Sequence, residues 1–240
     1  FQETLAKIRE EGDYLYILES QNGMYQPNLY IYDWDLKYIG KAAIPADSSV
    51  LGNKVTNSGM TNIQGMAELG NELYFTVVKW GAANGGDEFM VYKASLPEIS
   101  EKIEPDLTIG EYLSVCADGN YQTKFTASPL VGSNGGLNSG EGYSMGICSD
   151  GTFLYVALNQ DANVNATVYK ITPTGEIVAS SEKMNCGGKP DSGDTARLFI
   201  KDEKLFLIRS DGTFYSILLE DFEGADCKFA EDASVKLSAA

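Results

Sequence analysis

Short runs in which apolar and polar residues alternate recur along most of the chain, the pattern of strands buried on one face. Residues 13–19 (DYLYILE), 28–32 (NLYIY), 72–78 (ELYFTVV), 88–93 (EFMVYK), 166–171 (ATVYKI) and 204–209 (KLFLIR) are the clearest, rich in Tyr, Phe, Val and Ile. Such side chains fit a pleated, half-buried surface, so each run predicts a strand. Turn chemistry falls between the runs. Asp150-Gly151 supplies the positive φ of a tight hairpin. Pro173-Thr174-Gly175 sets up a reversal, because proline presets φ and glycine accepts the left-handed corner. The stretch 149–182 therefore reads as strands at 152–158, at 166–171 and from 176 to 179, preceded by another at 144–148.

That stretch serves as a template for the rest. NLYIYDWDLKYIGKAAI at 28–44 matches ATVYKITPTGEIVASSE at 166–182, and the first unit opens at 3–9 with a short helix or an inner strand. Runs at 62–69, 72–78, 88–93 and 98–103 make a second unit. Runs at 196–201, 204–209 and 213–218 make the last, with 227–229 or 234–237 as its outer strand. One unit is defective: 115–121 (VCADGNY) aligns with 147–153 (ICSDGTF), yet 129–142 (PLVGSNGGLNSGEG) offers no outer strands. The inner-hairpin turns fall at Gly12, Gly70, Gly119, Gly151 and Asp202, and the interval of 32 residues between Gly119 and Gly151 is short. The others suit four strands in roughly 40–50 residues plus a loop. The expectation is a single all-β domain over 1–240, a β-propeller of four-stranded antiparallel blades, about five in number with an irregular third. Ring closure would bring the N-terminal strand to the last blade. The competing arrangement is an incomplete propeller that closes by dimerisation.

The blades resemble β-propeller repeats of the NHL and PQQ types and those of sugar-lactone lactonase relatives, through GTFLYV at 151–156, VYKI at 168–171 and GEIV at 175–178. The resemblance implies the architecture. It also implies, in the lactonase relatives, a divalent cation held by one Glu, two Asn and an Asp from several blades. No residues of this chain are matched to that set.

Composition narrows the chemistry. An apolar content of 43% over 240 residues is ample for a core. A net charge of −16 repels nucleic acid and anionic lipid, and no apolar run is long enough to span a bilayer. The chain has no His, which removes histidine triads, histidine-ligated zinc and the usual proton shuttle. Cys116, Cys148, Cys186 and Cys227 form no CxxC pair and allow three disulfide pairings or buried free thiols. The chain starts without Met or a signal-peptide pattern, the mark of a processed or trimmed protein.

Function is expected on the loops of one face. Second-to-third-strand loops and inter-blade linkers are long and rich in Gly and Asn, at 20–27, 79–87, 129–142 and 159–165, with linkers at 45–58 and 185–194. Tyr25, Trp80 and Asp87 are the candidate ligand-binding residues there, the aromatics as platforms for a sugar ring or apolar group. Trp34 sits in a turn of the opposite face. Asp161, Asn163 and Asn165 alternate as oxygen ligands, a candidate Ca²⁺ site, although Ala166 and Thr172 occupy the positions where an EF-hand loop needs Gly and Glu. Asn165-Ala166-Thr167 is also a glycosylation sequon. The reading is a secreted or cell-envelope binding or assembly module for a glycan, peptide or partner protein, with no catalysis of its own. The alternatives are a Ca²⁺-dependent, carboxylate-based hydrolase or lyase and a self-associating structural subunit of an extracellular assembly.

Overall fold

The computed structural model describes residues 2–5, 14–20, 28–43, 61–70, 72–79, 88–95, 98–99, 123–124, 127–131, 144–160, 165–186, 197–209 and 211–234. They form an all-β structure. The first sheet is an antiparallel meander of β1 (Gln2–Leu5), β2 (Leu15–Ser20), β3 (Asn28–Tyr32) and β4 (Tyr38–Ala43). The second begins the same way with β5 (Thr61–Leu69), β6 (Glu72–Lys79) and β7 (Glu88–Ser95). β8 (Glu98–Ile99) and β9 (Thr123–Lys124) then pair with each other, and β10 (Ala127–Val131) returns to lie beside β7. The third sheet runs β11 (Ser144–Ser149), β12 (Leu154–Gln160), β13 (Asn165–Ile171) and β14 (Ile177–Ser181), with β15 (Met184–Asn185) paired to the start of β13. The fourth holds β16 (Arg197–Lys201), β17 (Lys204–Ile208) and β18 (Phe214–Leu218).

After β18 the chain makes a 3-10 turn at Leu219–Asp221 and crosses between the last two sheets. β19 (Gly224–Cys227) joins the third sheet, parallel to β14, and β20 (Ala230–Glu231) comes back to β18. Phe222, fully buried, anchors this crossing. Its ring stacks on Tyr155 at 5.9 Å and meets Phe229 edge-on at 5.8 Å, while its carbonyl accepts the Lys170 ammonium at 3.3 Å.

The alternating runs became strands where the pattern placed them, and Gly70, Gly151 and Asp202 hold the positive φ values assigned to hairpin turns, at 65°, 89° and 49°. Gly12 and Gly119 lie outside the described residues. The first unit opens with the inner strand, β1, which pairs with β2 inside its own sheet. The structure departs from the pattern in three places. The outer strand of the second sheet is β10, not the run at 98–103. Ala127–Val131, assigned by the repeat to an irregular third unit, thus belongs to the second sheet, and β11 packs directly against β5. At the chain's end β20 closes the fourth sheet, while Cys227 sits in β19 on the third. A strand's partner across a long connection leaves no trace in local periodicity, so repeat spacing alone could not place these strands.

The second strand of each sheet carries the core. Leu15, Leu73, Leu154 and Leu205 occupy one register position, followed by Tyr16, Tyr74, Tyr155 and Phe206, and all are buried. Consecutive residues point to opposite faces, so these strands are covered on both sides. In the third sheet Leu154, Val156 and Leu158 pack toward Ala67 and Tyr74 of the second. Tyr155 and Ala157 pack toward Leu205 and Leu207 of the fourth. Each such side chain contributes roughly 1.5–3 kcal/mol by leaving water. The sheets follow one another in chain order: β5 lies against β1 and β2, β11 against β5 and β6, and β16 against β11 and β12. Cys148, Cys186 and Cys227 are buried free thiols between the third and fourth sheets.

Candidate functional site

The two ends of the third and fourth sheets differ in how their polar groups are used. One end is made of tight turns that satisfy themselves. Asp150 Oδ1 accepts the Thr152 and Phe153 N–H groups at 2.7 and 2.6 Å, and Oδ2 accepts the Tyr155 hydroxyl at 2.7 Å. Burial and the Asp150 carboxylate push the Tyr155 phenol far above its ordinary range. The β13–β14 turn is closed by Gly175 N–H to the Thr172 carbonyl at 3.0 Å and Glu176 N–H to Thr172 Oγ1 at 3.0 Å. The first sheet's β3–β4 turn repeats the design, with Asp33 Oδ1 accepting Asp35 N–H and Lys37 N–H at 3.0 and 2.9 Å. Its Trp34 is part-exposed, as its turn position predicts.

The other end is built from amides and one arginine. Antiparallel register sets Asn165, the first residue of β13, opposite Gln160 of β12 and Asn185 of β15. Arg209 follows β17 and starts the turn into β18, closed by its own N–H on the Thr213 carbonyl at 2.9 Å and by Gly212 N–H on the Arg209 carbonyl at 3.0 Å. Gly212, at φ 81°, takes the left-handed corner that this turn requires. The turn aims the arginine side chain across to the third sheet, where Nη2 donates to Asn185 Oδ1 at 3.4 Å. Nη1 lies 3.5 Å from the Tyr215 hydroxyl and 3.6 Å from Asp211 Oδ2, and the guanidinium sits 5.6 Å from the Tyr215 ring.

Each of these polar contacts is longer than the 2.7–2.9 Å typical of a charge-assisted bond. The side chain is nevertheless only 20% exposed, and its Nε–H is buried without an acceptor. Asp211 does not supply the missing partner. It is 49% exposed, and Thr213 is the main cause holding its carboxyl below the usual range, with Arg209 a lesser one. Cys186 is buried, and its thiol is pushed up to about 11 by that burial while the charge of Arg209 pulls it the other way.

Of the site residues read from sequence, Asn165 belongs to this corner. Tyr25, Trp80, Asp87, Asp161 and Asn163 lie outside the described residues. Among the described residues no group of three or more Asp, Glu or Cys is arranged to hold a metal ion. Arg209, Tyr215 and Asn185 were not singled out from sequence, because Arg209 reads as the end of a strand beside a Ser-Asp-Gly turn. The available signal was scarcity: Arg9, Arg197 and Arg209 are the chain's arginines, and only Arg209 stands between an apolar strand and a tight turn. Among the described residues no helix is long and apolar enough to cross a membrane.

No family model matches the sequence, and no curated protein does. Among solved structures the chain is similar to an exo-β-1,3-galactanase from Phanerochaete chrysosporium with β-1,3-galactotriose, at 13% identity and TM-score 0.48 over 89% of this chain and 46% of that one. It is also similar to Drosophila Plexin A in complex with Semaphorin 1b, at 12% identity and TM-score 0.45 over 91% of this chain and 55% of that one. For BamB from Moraxella catarrhalis the identity is 11% and the TM-score 0.37, over 89% of this chain and 58% of that one. The chain spans about half the length of these structures. None shares enough sequence or backbone for its activity or partners to transfer.

Proposed function

We propose that the chain is a propeller-type binding module of the cell exterior or envelope, its sheets serving as blades, and that it engages a glycan at the amide-and-arginine end of its third and fourth sheets. The observation that carries this reading is the contrast between the ends. At the turn end Asp150 and Thr172 bond within their own hairpins, whereas at the opposite end Asn185 and Tyr215 meet a guanidinium whose polar contacts among the described residues are 3.4–3.6 Å, with Asn165 paired opposite Asn185. Amide side chains donate and accept at once, as sugar hydroxyls do, which makes such a cluster a natural counterpart for a saccharide. The guanidinium beside Asn185 also repels a metal cation from this corner, so the reading does not use Ca²⁺.

Titration calorimetry of the full chain against neutral and acidic oligosaccharides tests it. Saturable binding that Asn185→Ala weakens several-fold, with the melting temperature unchanged, is the expected result. Absence of binding to every saccharide, or binding that Asn185→Ala leaves intact, would overturn it.

A further inference from the structure

We infer that Arg209 is a carboxylate-reading residue, and that the glycan taken by this corner is acidic, one carrying a uronic acid. The inference rests on the glycan reading above and specifies the ligand. It starts from the mismatch at the guanidinium. This arginine is mostly buried, yet among the described residues its acceptors stand at 3.4–3.6 Å and Nε–H has none. Taking a guanidinium out of water is costly unless a well-matched partner compensates, so this one stands to gain from a partner arriving from outside. The partner that matches a planar fork of N–H donors is a carboxylate, taken up through two parallel bonds. Among the described residues Asp211 is the carboxylate within reach, but its place in the Thr213 turn offers the guanidinium one oxygen at 3.6 Å rather than two.

The surroundings suit a ligand group arriving from solvent. Asn185 is exposed and touches Nη2, while Tyr215 is half-buried and lies against the guanidinium. An entering carboxylate meets the Nη edge first. A turn of the guanidinium about its terminal torsions then brings Nε–H to the second oxygen, which removes the buried unpaired donor. Asn185 borders the guanidinium and Asn165 pairs opposite it, so the hydroxyls of the same ring would meet an amide rim. An acidic peptide would satisfy the guanidinium but makes less use of this paired-amide rim, so the saccharide is favoured.

The chain's net charge of −16 adds a signature that simple charge pairing lacks. An acidic ligand is repelled at long range and attracted only locally. Screening acts first on the long-range part, since the Debye length falls to about 8 Å at physiological salt. Association with a uronate should therefore speed up as salt rises from low to physiological strength, opposite to the usual behaviour of an arginine site.

The test is calorimetry and stopped-flow binding with an oligouronate, the same oligosaccharide after carboxyl reduction, and an acidic peptide. The uronate should bind roughly tenfold or more tightly than its carboxyl-reduced form. Arg209→Gln should abolish that difference, and Trp34→Ala at the turn end should preserve it. Equal binding of both saccharides, or a difference that survives Arg209→Gln, overturns the inference while leaving the glycan reading in place. Binding of the peptide alone, dependent on Arg209, overturns both the acidic-sugar inference and the glycan reading. Should Arg209→Gln fail to fold, the uronate against its carboxyl-reduced form on the unaltered protein still decides the matter.

Discussion

The Asp150–Tyr155 pair gives the sharpest test of how the hairpin turns hold the blade-like sheets together. Asp150 accepts three hydrogen bonds: its Oδ1 fixes the turn through Thr152 and Phe153, and its Oδ2 satisfies the hydroxyl of Tyr155. Tyr155 is fully buried, so removing the carboxylate leaves its hydroxyl without a partner, at a cost of about 1–3 kcal/mol. The turn bonds are exposed to water and contribute less, so Asp150→Ala should destabilise by roughly 2–4 kcal/mol in all. Tyr155→Phe removes donor and demand together and should cost only about 1 kcal/mol. In Asp150→Ala made on the Tyr155→Phe background, the unmet-hydroxyl part of the penalty vanishes. Urea unfolding of the four proteins measures this coupling. In thermal scans each kcal/mol should appear as about 2–4 °C for a chain of this size. If Asp150→Ala costs the same on both backgrounds, the buried hydrogen bond is not what stabilises this hairpin.

Three further outcomes are expected of the same molecule. Leu36 occupies the left-handed region at φ 60°, in a turn whose counterpart holds Gly175, so Leu36→Gly should raise the melting temperature slightly, by relief of up to about 1 kcal/mol of strain. Phe222→Ala should cost about 3–5 kcal/mol and speed hydrogen exchange in β14 and β19 together, since the ring anchors the crossing between them. Urea midpoints measured from pH 8 to 11 should fall on the alkaline side. Cys186 keeps its proton to about 11 when folded against an ordinary 9.0, so folding binds the proton more tightly. Its contribution is intact below pH 9 and declines between 9 and 11 at about 1.4 kcal/mol per pH unit. The Tyr74 and Tyr155 phenols, raised mainly by burial, add to the decline above pH 10, and Cys186→Ala should remove only its earlier part.

Strand positions were legible because each is a local pattern: Glu72–Lys79 and Asn165–Ile171 announce themselves by alternation, and Gly151 by the aspartate before it. Pairing was less so. Ala127–Val131 reaches β7 across a long connection, and Gly224–Cys227 attaches in parallel to a neighbouring sheet's strand; neither choice alters the residues' own periodicity. The candidate site was hidden for a similar reason. Asn185 and Arg209 are distant in sequence and meet only because β15 folds back on β13 while the β17 turn points toward it. Asn165 is legible through its alternation with Asp161 and Asn163, which lie outside the described residues, and the strand pairing sets it opposite the asparagine that Arg209 reaches.

The parallel attachment of β19 along β14 bears on solubility. β14 would otherwise end the third sheet with a free row of N–H and C=O groups, a template onto which a strand of another molecule can add. By laying its own late segment there, through Ala179 opposite Gly224 and Ser181 opposite Cys227, the chain occupies that template from within. The cover, at residues 224–227, is among the last described parts of the molecule to be synthesised. Until it arrives the edge stands open, so chains cut short before residue 219 are the ones expected to aggregate.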